Sequence, residues 1–380
     1  MENSQQQFFE LVRAGLFPER GARILAHGVP VDWAEIYRLA EEQSVVGLIA
    51  AGIESLPPIE RPPQQVVLQF VGSTLQIEQR NRAMNAFVEK LISLVRQNDI
   101  YALLVKGQGI AQCYEKPMWR ASGDVDLLLS DNNYQKAAEY LKAVSASVDE
   151  ENVYNKHLAM TIDGWSVELH GTLRSGLWRS LDRELDRVQE EVFCGGKVRS
   201  WMNGDTQVFL PAADGDVMFV FSHILQHFYK EGIGLRQICD WCRLLYCYRE
   251  KLDLQLLESR IRRARVMSEW KAFAALAVEY LGMPVEAMPL FNDNDNANEK
   301  LKRKAARVME FVLETGNFGH NRDYSYQKKY PYVVMKAISL WKHIKDFGRY
   351  CVIFPVDAIK VTWRRMCVGF SVAIRGKRHE

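Results

Sequence analysis

Residues Leu103–Leu129, LLVKGQGIAQCYEKPMWRASGDVDLLL, decide how the chain is read. One apolar run opens the stretch and another closes it, and each is short and flanked by polar or turn residues, the pattern of a buried strand. Asp124 and Asp126 stand at the head of the second run. Carboxylates one residue apart in a strand point to the same face. Two acids held that close repel each other unless a cation sits between them, and a divalent metal is the commonest such cation. The cations Lys106, Lys116 and Arg120 lie in the same stretch. Lys106-Gly107-Gln108-Gly109 follows the first strand and precedes a helical piece, so its backbone N–H groups can approach an anion.

Working outward, a third carboxylate comes from Gly164-Trp165-Ser166-Val167-Glu168-Leu169-His170. Trp165, Val167 and Leu169 share one face of that strand, which leaves Ser166, Glu168 and His170 on the other. Asp163-Gly164 joins it to the preceding apolar segment LAMTID and is a strong hairpin signal. Three carboxylates on adjacent strands suit Mg²⁺, which prefers oxygen donors and keeps positions open for phosphate. Two such ions can bind the attacking and leaving oxygens of an in-line phosphoryl displacement. Glu168 fits a metal ligand, a general base for an acceptor hydroxyl, or both.

The order Lys-Gly, then YxxPxxR at Tyr114–Arg120, then GDVDLLL, then VELH resembles the nucleotidyltransferase superfamily that includes DNA polymerase β and the antibiotic nucleotidyltransferases. Within it, the chain is most similar to an uncharacterised bacterial nucleotidyltransferase family. The resemblance covers about residues 100–175 well and the helical flanks in outline. It implies a polymerase β-like mixed sheet between helical lobes. It makes Asp124, Asp126 and Glu168 the metal-binding and catalytic carboxylates, and Lys106, Gly107, Arg120 and Gly123 the nucleotide-binding residues. The implied reaction is transfer of a nucleoside monophosphate from an NTP such as ATP, with Mg²⁺ as cofactor, two ions in number, and Mn²⁺ as a substitute. The acceptor is a hydroxyl or phosphate on a small molecule, glycan precursor, peptide or RNA. Two departures stand out. The usual Gly-Gly or Gly-Ser turn is replaced by Lys-Gly, and the gap from Gly107 to Asp124 matches the antibiotic-modifying branch rather than the minimal enzymes. The same fold also accommodates a non-catalytic nucleic-acid or protein-binding regulator, or a toxin-like enzyme acting on tRNA or protein.

The rest of the chain sets the frame. Its 380 residues suffice for two or three units with their own cores. Residues 1–98 read as helices, among them FFELVRAGLF, ARILAHG over residues 22–28, DWAEIYRLAEEQSVVGLIAAGI and a long one from Gln64. They form a packing layer or a substrate-gripping lobe. Residues 99–212 alternate strands and helices, an α+β unit, and residues 213–380 return to helix. Within the last region FNDNDNANEK is a polar loop. His223 and His227 share a helix face, which suits metal ligands, but with no obvious third ligand a core or capping role is favoured. Arg236 reaches a triphosphate or pairs with Asp240 four residues on. Cys239 and Cys242 form a CxxC inside a helical pattern with no second pair, too few donors for structural zinc.

Charge is unevenly spread. Residues 328–380 carry 12 Lys and Arg against 3 Asp and Glu, a net +9 that leaves −7 on residues 1–327. Aromatics interleave with these bases, which makes the segment a candidate nucleic-acid surface, with helix packing as the plainer account. Seven scattered cysteines and no secretory leader lead to the expectation of a reduced, cytoplasmic protein. No apolar run reaches the ~18 residues that span a bilayer.

Overall fold

Short apolar segments in the middle of the chain pair into one mixed sheet. The computed structural model describes residues 3–20, 30–153, 155–230, 232–319, 321 and 332–364, and the helix expected over residues 22–28 lies outside these. The five strands are β1 (Ala102–Val105), β2 (Asp124–Leu129), β3 (Ser147–Val148), β4 (His157–Ile162) and β5 (Trp165–His170), in the order β1-β2-β5-β4-β3. Only β2 and β5 run parallel; their neighbours pair antiparallel. A two-residue turn closes the β4–β5 hairpin, with Asp163 at φ 50° and Gly164 at φ 80°. Both angles are left-handed, which is why the turn takes Asp-Gly.

A second hairpin pairs β6 (Val198–Asn203) with β7 (Thr206–Pro211). Periodicity predicts β7 but passes over β6, whose sequence VRSWMN turns Arg199, Trp201 and Asn203 inward and leaves Val198, Ser200 and Met202 exposed. The two-residue turn Gly204-Asp205, with Gly204 at φ 57°, is the signal that identifies it.

The helices before the sheet are α1 (Asn3–Leu16), α2 (Trp33–Glu42), α3 (Val46–Glu54) and α4 (Gln64–Gln97). Within and just after it come α5 (Gly107–Ala111), α6 (Asp131–Val144) and α7 (Arg179–Phe193). Then follow α8 (Ala213–Lys230), α9 (Leu235–Tyr248), α10 (Leu254–Ala264), α11 (Met267–Leu281), α12 (Asp293–Asn296) and α13 (Glu299–Thr315). A last pair covers Tyr332–Ile353 and residues 355–364. The fold class is α+β. In the polar stretch FNDNDNANEK, Asn292 caps the short α12 by accepting from the Asp295 N–H, and Lys271 pairs with Asp295 at 2.8 Å.

Strand alternation sorts the sheet into two unlike faces. Ala102, Leu104, Val125, Leu127, Val167 and Leu169 go to one face, where they meet Val88, Leu91 and Ile92 of α4 and Ala137 and Leu141 of α6. Leu103, Val105 and Leu128 go to the other, into a larger core that includes Phe8 of α1, Ile49 of α3, Phe221 of α8, Trp241 of α9 and Phe273 of α11. Helices from both ends of the chain thus share one core. Glycine permits some of this closeness: a Cβ on Gly47 of α3 would sit 2.1 Å from the carbonyl oxygen of Trp119.

Candidate active site and metal centre

The parallel register of β2 and β5 sets Asp126 opposite Glu168 and Asp124 opposite Ser166. Period two then delivers Asp124, Asp126 and Glu168 to one face. Each offers a carboxylate oxygen, and the three oxygens lie within 4.8 Å of one another. Asp126 is buried, whereas Asp124 and Glu168 remain partly open to solvent. Three clustered oxygen donors, incompletely covered, fit the requirements of a hard divalent cation.

Basic side chains ring the cluster. The Lys106 ammonium lies 2.6 Å from Asp126 Oδ1. The same oxygen is 2.8 Å from His170 Nε2, and His157 Nε2 is 3.0 Å from Glu168 Oε2. Burial opposes the charge on Lys106, but Asp126, Glu168 and Asp124 outweigh it and hold its pKa above the ordinary lysine value. Burial likewise opposes the His170 imidazolium, and hydrogen bonds with Asp126 and Glu168 overcome it, so the pKa is raised. Glu168 is buried enough to favour its neutral form, yet hydrogen bonds from His157 and His170, with Lys106 nearby, hold it well below the usual carboxylate range. Asp124 moves the other way: repulsion from Asp126, then burial, push its pKa up. The negative charge on this face is therefore only partly answered.

Lys106 reaches Asp126 from an unusual backbone. Its φ is 57° and ψ −147°, at the turn from β1 into α5. A non-glycine residue there costs about 1–3 kcal/mol and persists only where its surroundings hold it. Gly107 follows at φ 40°, with its Cβ position 3.5 Å from the Asp124 carbonyl oxygen, so the turn lies directly over the start of β2.

Arg120 is placed differently from the other expected nucleotide-binding residues. It is buried, and its guanidinium donates to both oxygens of Asp240 on α9, at 2.8 and 2.6 Å, and to Ser122 Oγ at 2.8 Å. Tyr114 donates its hydroxyl to the same Asp240 at 2.8 Å. Asn81 of α4 donates to the carbonyls of Met118 and Arg120, and Gln108 donates to the Asn81 side-chain oxygen at 3.0 Å. Together these bonds brace the loop that delivers Asp124. Gly123 is exposed, and its carbonyl accepts from Arg80 at 3.4 Å. Lys116 lies away from the cluster, paired with Glu54 and 3.7 Å over the Trp119 ring.

Helices α8 and α9 complete the surroundings. His223 and His227 meet through their Nε2 atoms at 3.0 Å. Burial, with Lys106, His227 and His170 close by, pushes the His223 pKa well below the usual value, so it is a neutral imidazole beside the charged face. Arg236 donates to the Ala121 carbonyl at 2.7 Å, and its charge works against the rise in the Asp124 pKa without overcoming it. Cys239 and Cys242 are buried within α9. In the basic, aromatic C-terminal segment Trp341 and Trp363 are exposed; residues 322–331 and 365–380 lie outside the described residues. No helix among the described residues is long and apolar enough to cross a membrane.

Motif reading does not find His157, Asn81 or the Arg120–Asp240 pair. The first was within reach: counting outward from the Asp163-Gly164 turn pairs Ile162 with Trp165 and so His157 with His170. The other two depend on α4 and α9 packing against the loop, which no local pattern encodes. The model of a family described as an uncharacterised nucleotidyltransferase matches residues 29–282, about two-thirds of the chain. No curated protein and no solved structure matches it.

Proposed function

The chain belongs to this uncharacterised nucleotidyltransferase family, and from that membership we propose that it transfers a nucleoside monophosphate from an NTP to a hydroxyl or phosphate acceptor. The acceptor oxygen, losing its proton, bonds to the α-phosphorus; the α–β bridging bond breaks and pyrophosphate leaves. The observation that carries the reading is the convergence of Asp124, Asp126 and Glu168 across the β2–β5 register. Two Mg²⁺ ions, with Mn²⁺ as a substitute, would be held there and would neutralise charge on the attacking and leaving oxygens.

The residues around the cluster divide the remaining work. A general base is efficient when its pKa lies near the working pH. Glu168 is held far below that, which favours it as a ligand over the role of base. Lys106, resting on Asp126, is the cation nearest the carboxylates and the one best placed to turn to a phosphate once they are neutralised. Gly107 brings backbone to the same place. Arg120, saturated by Asp240, supports the loop and contacts nucleotide little or not at all.

The test is a screen of labelled NTPs with Mg²⁺ or Mn²⁺ against fractionated lysate, asking which molecule acquires label. Metal-dependent labelling that disappears in Asp126→Asn is the expected result. Labelling that survives that change would sink the proposal.

A further inference from the structure

The two histidines beside the carboxylates make a second ligand set. His157 of β4 and His170 of β5 are cross-strand partners whose rings are 4.9 Å apart. His157 directs Nε2 at Glu168 Oε2, 3.0 Å away, and His170, whose Nε2 meets Asp126 at 2.8 Å, brings the same nitrogen to 3.5 Å from that Glu168 oxygen. The three atoms lie within 4.8 Å of one another, as do the oxygens of Asp124, Asp126 and Glu168. Glu168 belongs to both groups.

Bonds of about 2.1 Å put two ligands of one ion about 3.0 Å apart in an octahedron and about 3.4 Å apart in a tetrahedron. The His157 separation equals the octahedral edge and the His170 separation lies within about 0.5 Å of it, so one ion requires only a small movement of the His170 ring. Of the two contacts with Glu168 the His157 one is the shorter, and the shortest contact of His170 is with Asp126. His170 also touches Asp126, so the two sets abut. His157 is partly exposed, which leaves a way in.

We infer that His157, His170 and Glu168 form a cation site distinct from the three-carboxylate site and joined to it through Glu168, and that it takes a divalent transition-metal ion that accepts imidazole in preference to Mg²⁺. Imidazole donors suit Zn²⁺, Fe²⁺ and similar ions, whereas Mg²⁺ is held by oxygens. The centre is then asymmetric: one position has oxygen donors alone and the other has two nitrogens and one shared carboxylate. This rests on the transferase reading only for the role of the neighbouring carboxylate position.

Co²⁺ is the probe. Metal-free, full-length protein is titrated with Co²⁺ without nucleotide, and exchangeable proton resonances shifted far downfield, which report ring N–H groups of metal-bound imidazoles, are recorded. Two are expected in the wild type and one in His157→Ala, a change at a partly exposed residue that leaves the fold intact by circular dichroism. Co²⁺ affinity should fall at least about tenfold in His157→Ala, and by a larger factor than Mg²⁺ affinity does. No such resonance in the wild type, or two retained in His157→Ala, would overturn the inference. Because turnover is not read, a protein that shows both resonances but transfers no label refutes the enzyme reading and keeps this one. Label transfer without the resonances does the reverse.

Discussion

Two clusters of buried charge flank the loop from Lys106 to Asp124, and they are built on opposite principles. Around Asp240 every demand is met: Arg120 takes both oxygens and Tyr114 adds a hydroxyl. Around Asp126 the account stays open. Three carboxylates share one lysine and two imidazoles, and Asp124 still registers the repulsion of Asp126 in its raised pKa. A saturated pair resists change and holds shape, whereas residual repulsion between fixed carboxylates is what a bound cation relieves.

That contrast predicts opposite responses to substitution. The largest effect is expected of Asp124→Asn, which should cut transfer by about 10³-fold while leaving thermal stability unchanged or raised, because it removes a repelled charge. A melting curve and a labelled-NTP assay on one preparation check both signs. Arg120→Ala should do the reverse: it strands the buried Asp240 carboxylate and costs about 3–5 kcal/mol of stability in denaturant melts. If the variant melts like the wild type, Arg120 is not the brace described. Lys106→Gln should be milder, weakening NTP binding by about tenfold, measured by titration with a non-hydrolysable analogue.

The smallest effect concerns a third cluster, a pair of acids that relieves its repulsion with a proton. Glu269 of α11 is fully buried, accepts from Tyr229 at 3.2 Å, and is pushed up to about 8 by burial and by Asp357. Asp357 itself holds Lys360 at 2.7 Å. Between the ordinary glutamate value and about 8, the folded state keeps a proton that the unfolded chain has lost. Stability from this group is therefore present on the acid side and lost as pH rises through about 8. The wild-type Tm should fall by several degrees from about pH 6 to about pH 9, and Glu269→Gln should flatten that slope. An unchanged slope would show that Glu269 does not hold the proton.

Much of this was legible in the sequence, for a definable reason. The Asp-x-Asp spacing at the head of β2 and the apolar alternation in WSVELH fix which side chains face together, and Asp163-Gly164 fixes the register of β4 on β5. Strand β6 escaped because its inward positions are Arg199, Trp201 and Asn203 rather than a run of aliphatic residues. The roles of the cations were less legible. Lys106 and Arg120 look alike in the sequence, as basic residues near an Asp-x-Asp. What separates them is that α9 presents Asp240 to Arg120, and the left-handed turn at residue 106 points Lys106 back at Asp126.

The parallel pairing of β2 with β5 has a consequence for folding order. Strand β5 meets β4 across a two-residue turn, an early and local event, but it meets β2 only after α6, β3 and β4 have been laid down between them. Non-local parallel pairing is intrinsically slow, since loop closure must precede the contacts that reward it. Glu168 and His157 are therefore neighbours early, and Asp124 and Asp126 join them late. A chain caught before that step lacks the three-carboxylate cluster, so under the proposed function label transfer itself reports that β2 has docked on β5.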